Sequence, residues 1–169
     1  MKVSRYVAAA AVALAIGVGA LLTWQSVGVQ EKAPSVSYTL LDGRKAELDQ
    51  LRGKVVLINF WATSCTTCVK EMPHIVETYQ KYRDRGYETL AVAMHYDPPS
   101  FVAKFAESRQ LPFGVAIDNT GAVAKAFGDV RLTPTTFLID KRGHIVKRYV
   151  GEPDFAALHA LVEKLLAEA

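Results

Sequence analysis

Apolar positions along the chain fall into short continuous blocks and longer stripes of helical spacing. Lys54 to Phe60 is a nearly unbroken apolar run, the pattern of a strand covered on both faces, and Tyr87 to Met94 is a second. Between them, Val69, Met72, Ile75, Val76, Tyr79 and Tyr82 fall on one face of a helix that should stop at Gly86. Upstream, the pattern predicts a short strand at Val36 to Leu40, a turn at Asp42-Gly43 and a helical turn near Glu47 to Leu51. Downstream, Ser100 is placed to cap a helix through Arg109 with Phe101, Val102 and Phe105 inward. A short strand at Gly114 to Ile117 and a short helix from Gly121 to Phe127 follow. Thr135 to Asp140 and His144 to Val150 form two strands joined at Lys141-Arg142-Gly143, a hairpin signal. Phe155, Leu158, Leu161, Val162, Leu165 and Leu166 close the chain with an amphipathic helix. Strands alternating with helices and ending in a hairpin predict an α/β fold, a mixed central sheet with helices on both faces.

The N-terminal segment departs from this pattern. No charged side chain occurs from Tyr6 to Gln30, Val7 to Leu22 is apolar or small throughout, and Lys2 and Arg5 precede it. This is an export segment: residues 1–30 are read as a retained signal-anchor, with Val18-Gly19-Ala20 as the alternative, a cleavage site that would release a soluble form. The two basic residues hold the N-terminus in the cytoplasm, which puts the rest on the extracytoplasmic, periplasmic side of the membrane. Residues 31–35, with Pro34, read as a linker, and residues 36–169 as one domain. Lys2 and Arg5 supply two of the 20 basic groups, leaving 18 against 17 acidic ones, so nothing points to nucleic acid as a partner.

The chain has 2 cysteines, too few for a multi-disulfide scaffold or a Cys-only zinc site. They stand as Cys65 and Cys68 where the first buried strand turns into a helix. Unpaired N–H groups and the positive end of the helix dipole favour thiolate there, which makes Cys65 the nucleophile. Cys68, one helical turn on and more buried, becomes the thiol that resolves a mixed disulfide. Such a dithiol needs no cofactor. Haem attachment would require His where Val69 stands, and zinc would require two ligands from the scattered His74, His95, His144 and His159. A copper(I) carrier is the alternative, with the two thiolates and His95 as ligands; a binding module without catalysis is a third class. Pro73 should kink the helix one turn after the pair.

The stretch Asn59-Phe60-Trp61-Ala62-Thr63-Ser64-Cys65-Thr66-Thr67-Cys68-Val69-Lys70-Glu71-Met72-Pro73, with the later Leu132-Thr133-Pro134-Thr135-Thr136-Phe137-Leu138-Ile139-Asp140, resembles the TlpA/ResA/CcmG-like group of thioredoxin-fold thiol-disulfide oxidoreductases. That group is membrane-tethered and extracytoplasmic, and the resemblance covers roughly residues 36 to 169. It implies a thioredoxin-like fold with an N-terminal strand extension and a central insertion, for which the sequence separation of 66 from Cys68 to Pro134 leaves room. Ser64 stands where the group commonly has Trp, and Thr66-Thr67 where a residue followed by Pro is frequent. The resemblance makes Glu71 the match for an acidic residue that relays the Cys68 proton; the alternative is an acid complementing the helix dipole. Asn59 replaces the buried Asp of cytoplasmic thioredoxins. Thr133-Pro134 is expected to be a cis peptide beside Cys65 offering backbone groups to an extended substrate, with Trp61 flanking the site. The implied activity is exchange with protein disulfides. It is read as reductive, drawing electrons from a DsbD/CcdA-type membrane donor and passing them to apocytochrome c or a copper-site protein; a thiol oxidase is the other direction.

Overall fold

The computed structural model describes residues 31–168; the N-terminal segment, and with it the anchor or signal expectation, lies outside the described residues. The elements run β1 (Ser37–Thr39), β2 (Lys45–Glu47), β3 (Val55–Trp61), α1 (Thr66–Tyr82), β4 (Tyr87–Ala93), α2 (Pro99–Ser108), β5 (Gly114–Ile117), α3 (Ala122–Ala126), β6 (Thr135–Ile139), β7 (Ile145–Val150) and α4 (Phe155–Ala167). Short 3-10 turns lie at Leu48–Leu51 and Arg83–Arg85.

Five strands form one mixed sheet in the order β5-β4-β3-β6-β7. β3 runs parallel to β4, and β4 to β5, while β6 is antiparallel to both β3 and β7. β1 and β2 pair as a separate antiparallel ribbon, the N-terminal extension, joined to the edge of the main sheet by a bridge from Leu40 to Ala116. α2, β5 and α3 occupy the stretch between β4 and β6, where the central insertion was expected.

Every residue of β3 is buried because the sheet is covered on both faces. Val55, Leu57 and Trp61 pack with Met72, Ile75, Leu158 and Val162 from α1 and α4. Val56, Ile58 and Phe60 pack on the opposite face with Tyr38, Leu48, Val123 and Phe127. Each such side chain stabilises the fold by roughly 1.5–3 kcal/mol through burial. Asn59 has the parity of Val55, Leu57 and Trp61, and is the one polar residue β3 directs to the α1 side. Capped by Cys65, α1 continues through Pro73 and gives way to the 3-10 turn, which closes at Gly86 in the left-handed region with φ 88°.

The structure corrects three expectations. Glu31 to Ser35 is docked rather than a free linker: the Ala33 N–H donates to the Gly143 carbonyl at 2.9 Å and the Ile145 N–H to the Glu31 carbonyl at 2.7 Å. Those bonds satisfy backbone groups at the edge of the β6–β7 hairpin, and Ala33 is buried with them. α2 starts at Pro99 without a side-chain cap from Ser100, since proline with its preset φ takes the first helical position. Phe101 is 61% exposed rather than inward, because the face of α2 turned to β5 carries Val102 and, partly buried, Phe105 and Ala106.

Candidate active site

The site is built where β3 gives way to α1. The Met94 N–H donates to the Trp61 carbonyl at 2.9 Å, and the chain then turns through Ala62, Thr63 and Ser64. Asp97, buried after the end of β4, accepts from the Thr63 backbone N–H and the Thr63 hydroxyl, each at 2.6 Å. Cys65 is the N-cap of α1: its carbonyl accepts from the Val69 N–H at 3.0 Å and its sulfur from the Cys68 N–H at 3.2 Å. A donor aimed at Sγ and the positive helix terminus both favour negative charge on that sulfur. Cys65 and Cys68 are joined as a disulfide with their Cα atoms 5.2 Å apart. Cys65 is partly exposed, whereas Cys68 is fully buried among the residues that line the α1 side of the sheet.

One turn beyond Cys68, on the inward face of the helix, lies Glu71, with no exposed surface. Its Oε1 accepts from Asn59 Nδ2 at 3.0 Å, and the same nitrogen donates to Thr136 Oγ1 at 2.9 Å. Asn59 and Thr136 are direct cross-strand partners in the β3–β6 register. Glu71 Oε2 and Asn59 Oδ1 are buried without a hydrogen-bond partner among the described residues. Burial pushes the Glu71 carboxyl up from 4.5 to about 7, a rise opposed by the Asn59 hydrogen bond and assisted by the negative charge of Glu152. A buried carboxyl that changes charge near neutrality is suited to proton transfer. Glu71 lies beyond the first turn of α1, which contains no acidic residue, so the dipole-partner alternative loses its footing.

Thr133-Pro134 is cis, as expected. Phe60 is opposite Thr135, so Pro134 comes next to the end of β3, at the same end of the sheet as the cysteine turn. The Pro134 carbonyl accepts from the Gly151 N–H at 2.8 Å, and Thr133 Oγ1 lies 3.3 Å from the Tyr96 hydroxyl. Trp61 does not flank a substrate surface: its side chain is fully buried, its ring 5.0 Å from that of Phe105, because its parity on β3 turns it beneath the helices. His95 is exposed and lies edge-on to Tyr96, with ring centroids 5.5 Å apart. Among the described residues no group of three or more His, Cys, Asp or Glu side chains is placed to hold a metal ion, so His95 is not brought together with the cysteines as a ligand set. Asp97 and Thr136 are the site residues that spacing did not reveal, because they reach Thr63 and Asn59 from distant segments.

A dithiol at the start of the helix after the central strand, with one sulfur exposed and one buried beside an acid, defines a thiol-disulfide oxidoreductase of thioredoxin fold. Comparison with known proteins agrees. The Redoxin family matches residues 28–162. The thiol-disulfide oxidoreductase ResA of Bacillus thuringiensis subsp. konkukian is 37% identical over 141 residues, covering 83% of this chain and 80% of that one. ResA of Geobacillus thermodenitrificans is 43% identical over 126 residues, covering 75% and 71%. Among solved structures, a thiol:disulfide interchange protein of the thioredoxin family from Chlorobium tepidum superposes with a TM-score of 0.74 at 26% identity, covering 82% of this chain and 97% of that one. The chain belongs to the Redoxin family, within its ResA/CcmG-like group of thiol-disulfide oxidoreductases.

Proposed function

We propose that this protein is a membrane-tethered, extracytoplasmic reductant of protein disulfides, acting in the maturation of cytochrome c or of a copper-site protein. The observation that carries the reading is the inequality of the two sulfurs: Cys65 is partly exposed at the helix start, while Cys68 is buried one turn from Glu71. In the reduced protein the Cys65 thiolate attacks a substrate disulfide, forming a Cys65–substrate bond and releasing one substrate thiolate, which takes up a proton. Glu71 then accepts the Cys68 proton, and the Cys68 thiolate attacks Cys65 Sγ. This forms the Cys65–Cys68 disulfide and expels the second substrate thiolate. Residues one helical turn apart have Cβ atoms about 5–6 Å apart, within reach of a proton passed through one water.

Thr133, preceding the cis Pro134, offers its backbone groups to an extended substrate segment beside the cysteine turn. The uncharged run from Tyr6 to Gln30 behind Lys2 and Arg5 supports a retained anchor with the domain of residues 36–169 outside the membrane. A DsbD/CcdA-type membrane protein would return the Cys65–Cys68 disulfide to the dithiol. The test is equilibration of the couple with a thiol buffer of known potential. A reductant should fall near thioredoxin, roughly −270 mV, and a value near roughly −120 mV would make the protein an oxidase instead.

A further inference from the structure

The loop after β4 touches both walls of the exchange site. Asp97 grips the cysteine turn, and its neighbour Tyr96 sets its hydroxyl 3.3 Å from Thr133 Oγ1 on the other side. The Tyr96 ring, 50% exposed, also forms one wall of a groove of about 420 Å³, a size within the range of ligand sites, roughly 300–1,000 Å³. Its floor is apolar, made by the buried Met94, Ala124 and Val130.

The wall contributed by α3 and the segment after it is cationic. Lys125 makes no ion pair among the described residues, whereas Arg131 is engaged with Asp129, its Nε donating to Oδ2 at 2.8 Å. One positive charge therefore lines the groove without a counter-charge, beside a floor that cannot supply one. The same wall runs on as Arg131-Leu132-Thr133 into cis Pro134, which makes the groove continuous with the exchange site. None of those three backbone N–H groups donates to a group among the described residues, and Leu132 is 65% exposed. Free backbone donors on an exposed segment are what an extended chain pairs with.

We propose that this groove is a substrate subsite: it takes the segment of the protein substrate that runs on from Thr133, and Lys125 selects an acidic side chain there. Glutamate suits both parts of the groove, since its methylenes cover the apolar floor while its carboxylate meets the ammonium. A lysine in that place would meet like charge. This rests on the disulfide-exchange reading and names a feature of the substrate for it. Along an extended segment only residues two apart share a face, so the selection is confined to one position, or to two positions of the same parity.

The test uses the reduced full-length chain and short peptides whose single cysteine is disulfide-bonded to mercaptoethanol, an uncharged leaving group. Each position on either side of the cysteine is set in turn to Glu, Gln or Lys, and the second-order rate constants for reduction are compared. The subsite predicts that Glu is favoured over Lys by roughly tenfold at low salt, at one position or at two positions of the same parity. The preference should collapse at roughly 1 M salt, where charges act over only about 3 Å. Lys125→Gln should remove it and Lys125→Glu should invert it. Lys164→Glu, on α4 across the sheet from α3, should leave it unchanged. A wild-type preference that Lys125→Glu retains, or one spread evenly over all positions, would overturn the subsite. An equal change in Lys164→Glu would reduce the effect to net charge and overturn it as well. Failure of the exchange reading would show separately, as a wild-type chain unable to reduce hydroxyethyl disulfide, a reaction that none of these substitutions should alter.

Discussion

Asp97 grips Thr63 through two hydrogen bonds of 2.6 Å, one from its backbone N–H and one from its hydroxyl, two residues before Cys65. The carboxylate thereby fixes the turn that carries the exposed sulfur. Buried at 3% exposure, it also satisfies a backbone donor that β3 no longer pairs. Asp97→Ala should cost about 1–3 kcal/mol by stranding those donors, and should slow disulfide exchange by loosening the position of Cys65. Asp97→Asn, which keeps one acceptor oxygen, should lose less on both counts. Urea denaturation of the oxidised chain, together with insulin-disulfide reduction, checks this; wild-type stability in Asp97→Ala would show that the grip is immaterial.

The raised carboxyl of Glu71 has a consequence for stability. Its folded value is about 7 against an ordinary 4.5, so between those pH values the folded protein holds a proton that the unfolded chain has released. Stability should therefore fall as pH rises through that window, by up to about 3 kcal/mol from this group alone. Glu71→Gln should lack that part of the decline and be the more stable protein at about pH 8. Denaturation midpoints of the two oxidised chains across the window measure it, and parallel curves would show that Glu71 is not the group responsible.

Glu71→Gln should act on turnover in the opposite sense. With the ionisable group removed, resolution by Cys68 should slow roughly 10²-fold at neutral pH, the lower end of what a positioned acid–base group contributes. The inflection near 7 should vanish from the rate profile. Single-turnover reduction of a disulfide substrate separates this step from the first attack by Cys65, which should be nearly unaffected. An unaltered profile would remove Glu71 from the proton path.

Much of the fold could be read from the chain because its central strands are covered on both faces. Lys54 to Phe60 and Tyr87 to Met94 announce themselves as apolar runs, and β3 and β4 lie within a residue of those limits. The placement of Cys65, Cys68 and Glu71 at one end of one helix was equally legible, since their spacing is local, whereas a role for Glu71 came only from the family resemblance. What escaped depends on pairing across the chain. Asp97 reaches Thr63 over 34 positions, and Thr136 reaches Asn59 over 77, so neither is visible to a local pattern. β2 is a three-residue strand, Lys45–Glu47, without an apolar run; only its partner β1 makes it one. Glu31 to Ser35 looked like a linker because its contacts are backbone bonds to the Gly143–Ile145 region, which side-chain character does not encode. Trp61 looked available because an aromatic beside a reactive motif suggests a contact surface, but alternation along β3 turns it inward.

The division of labour between the two sulfurs is tested most directly by trapping. Each single-cysteine variant, Cys65→Ser and Cys68→Ser, is mixed with a disulfide-bonded protein substrate, quenched in acid and examined by non-reducing mass spectrometry. The account predicts that Cys68→Ser accumulates a mixed disulfide through Cys65, because nothing remains to resolve it. It also predicts that Cys65→Ser forms almost none, because Cys68 is fully buried. Equal trapping by the two variants, or trapping by Cys65→Ser alone, would contradict the assignment of Cys65 as the attacking thiol.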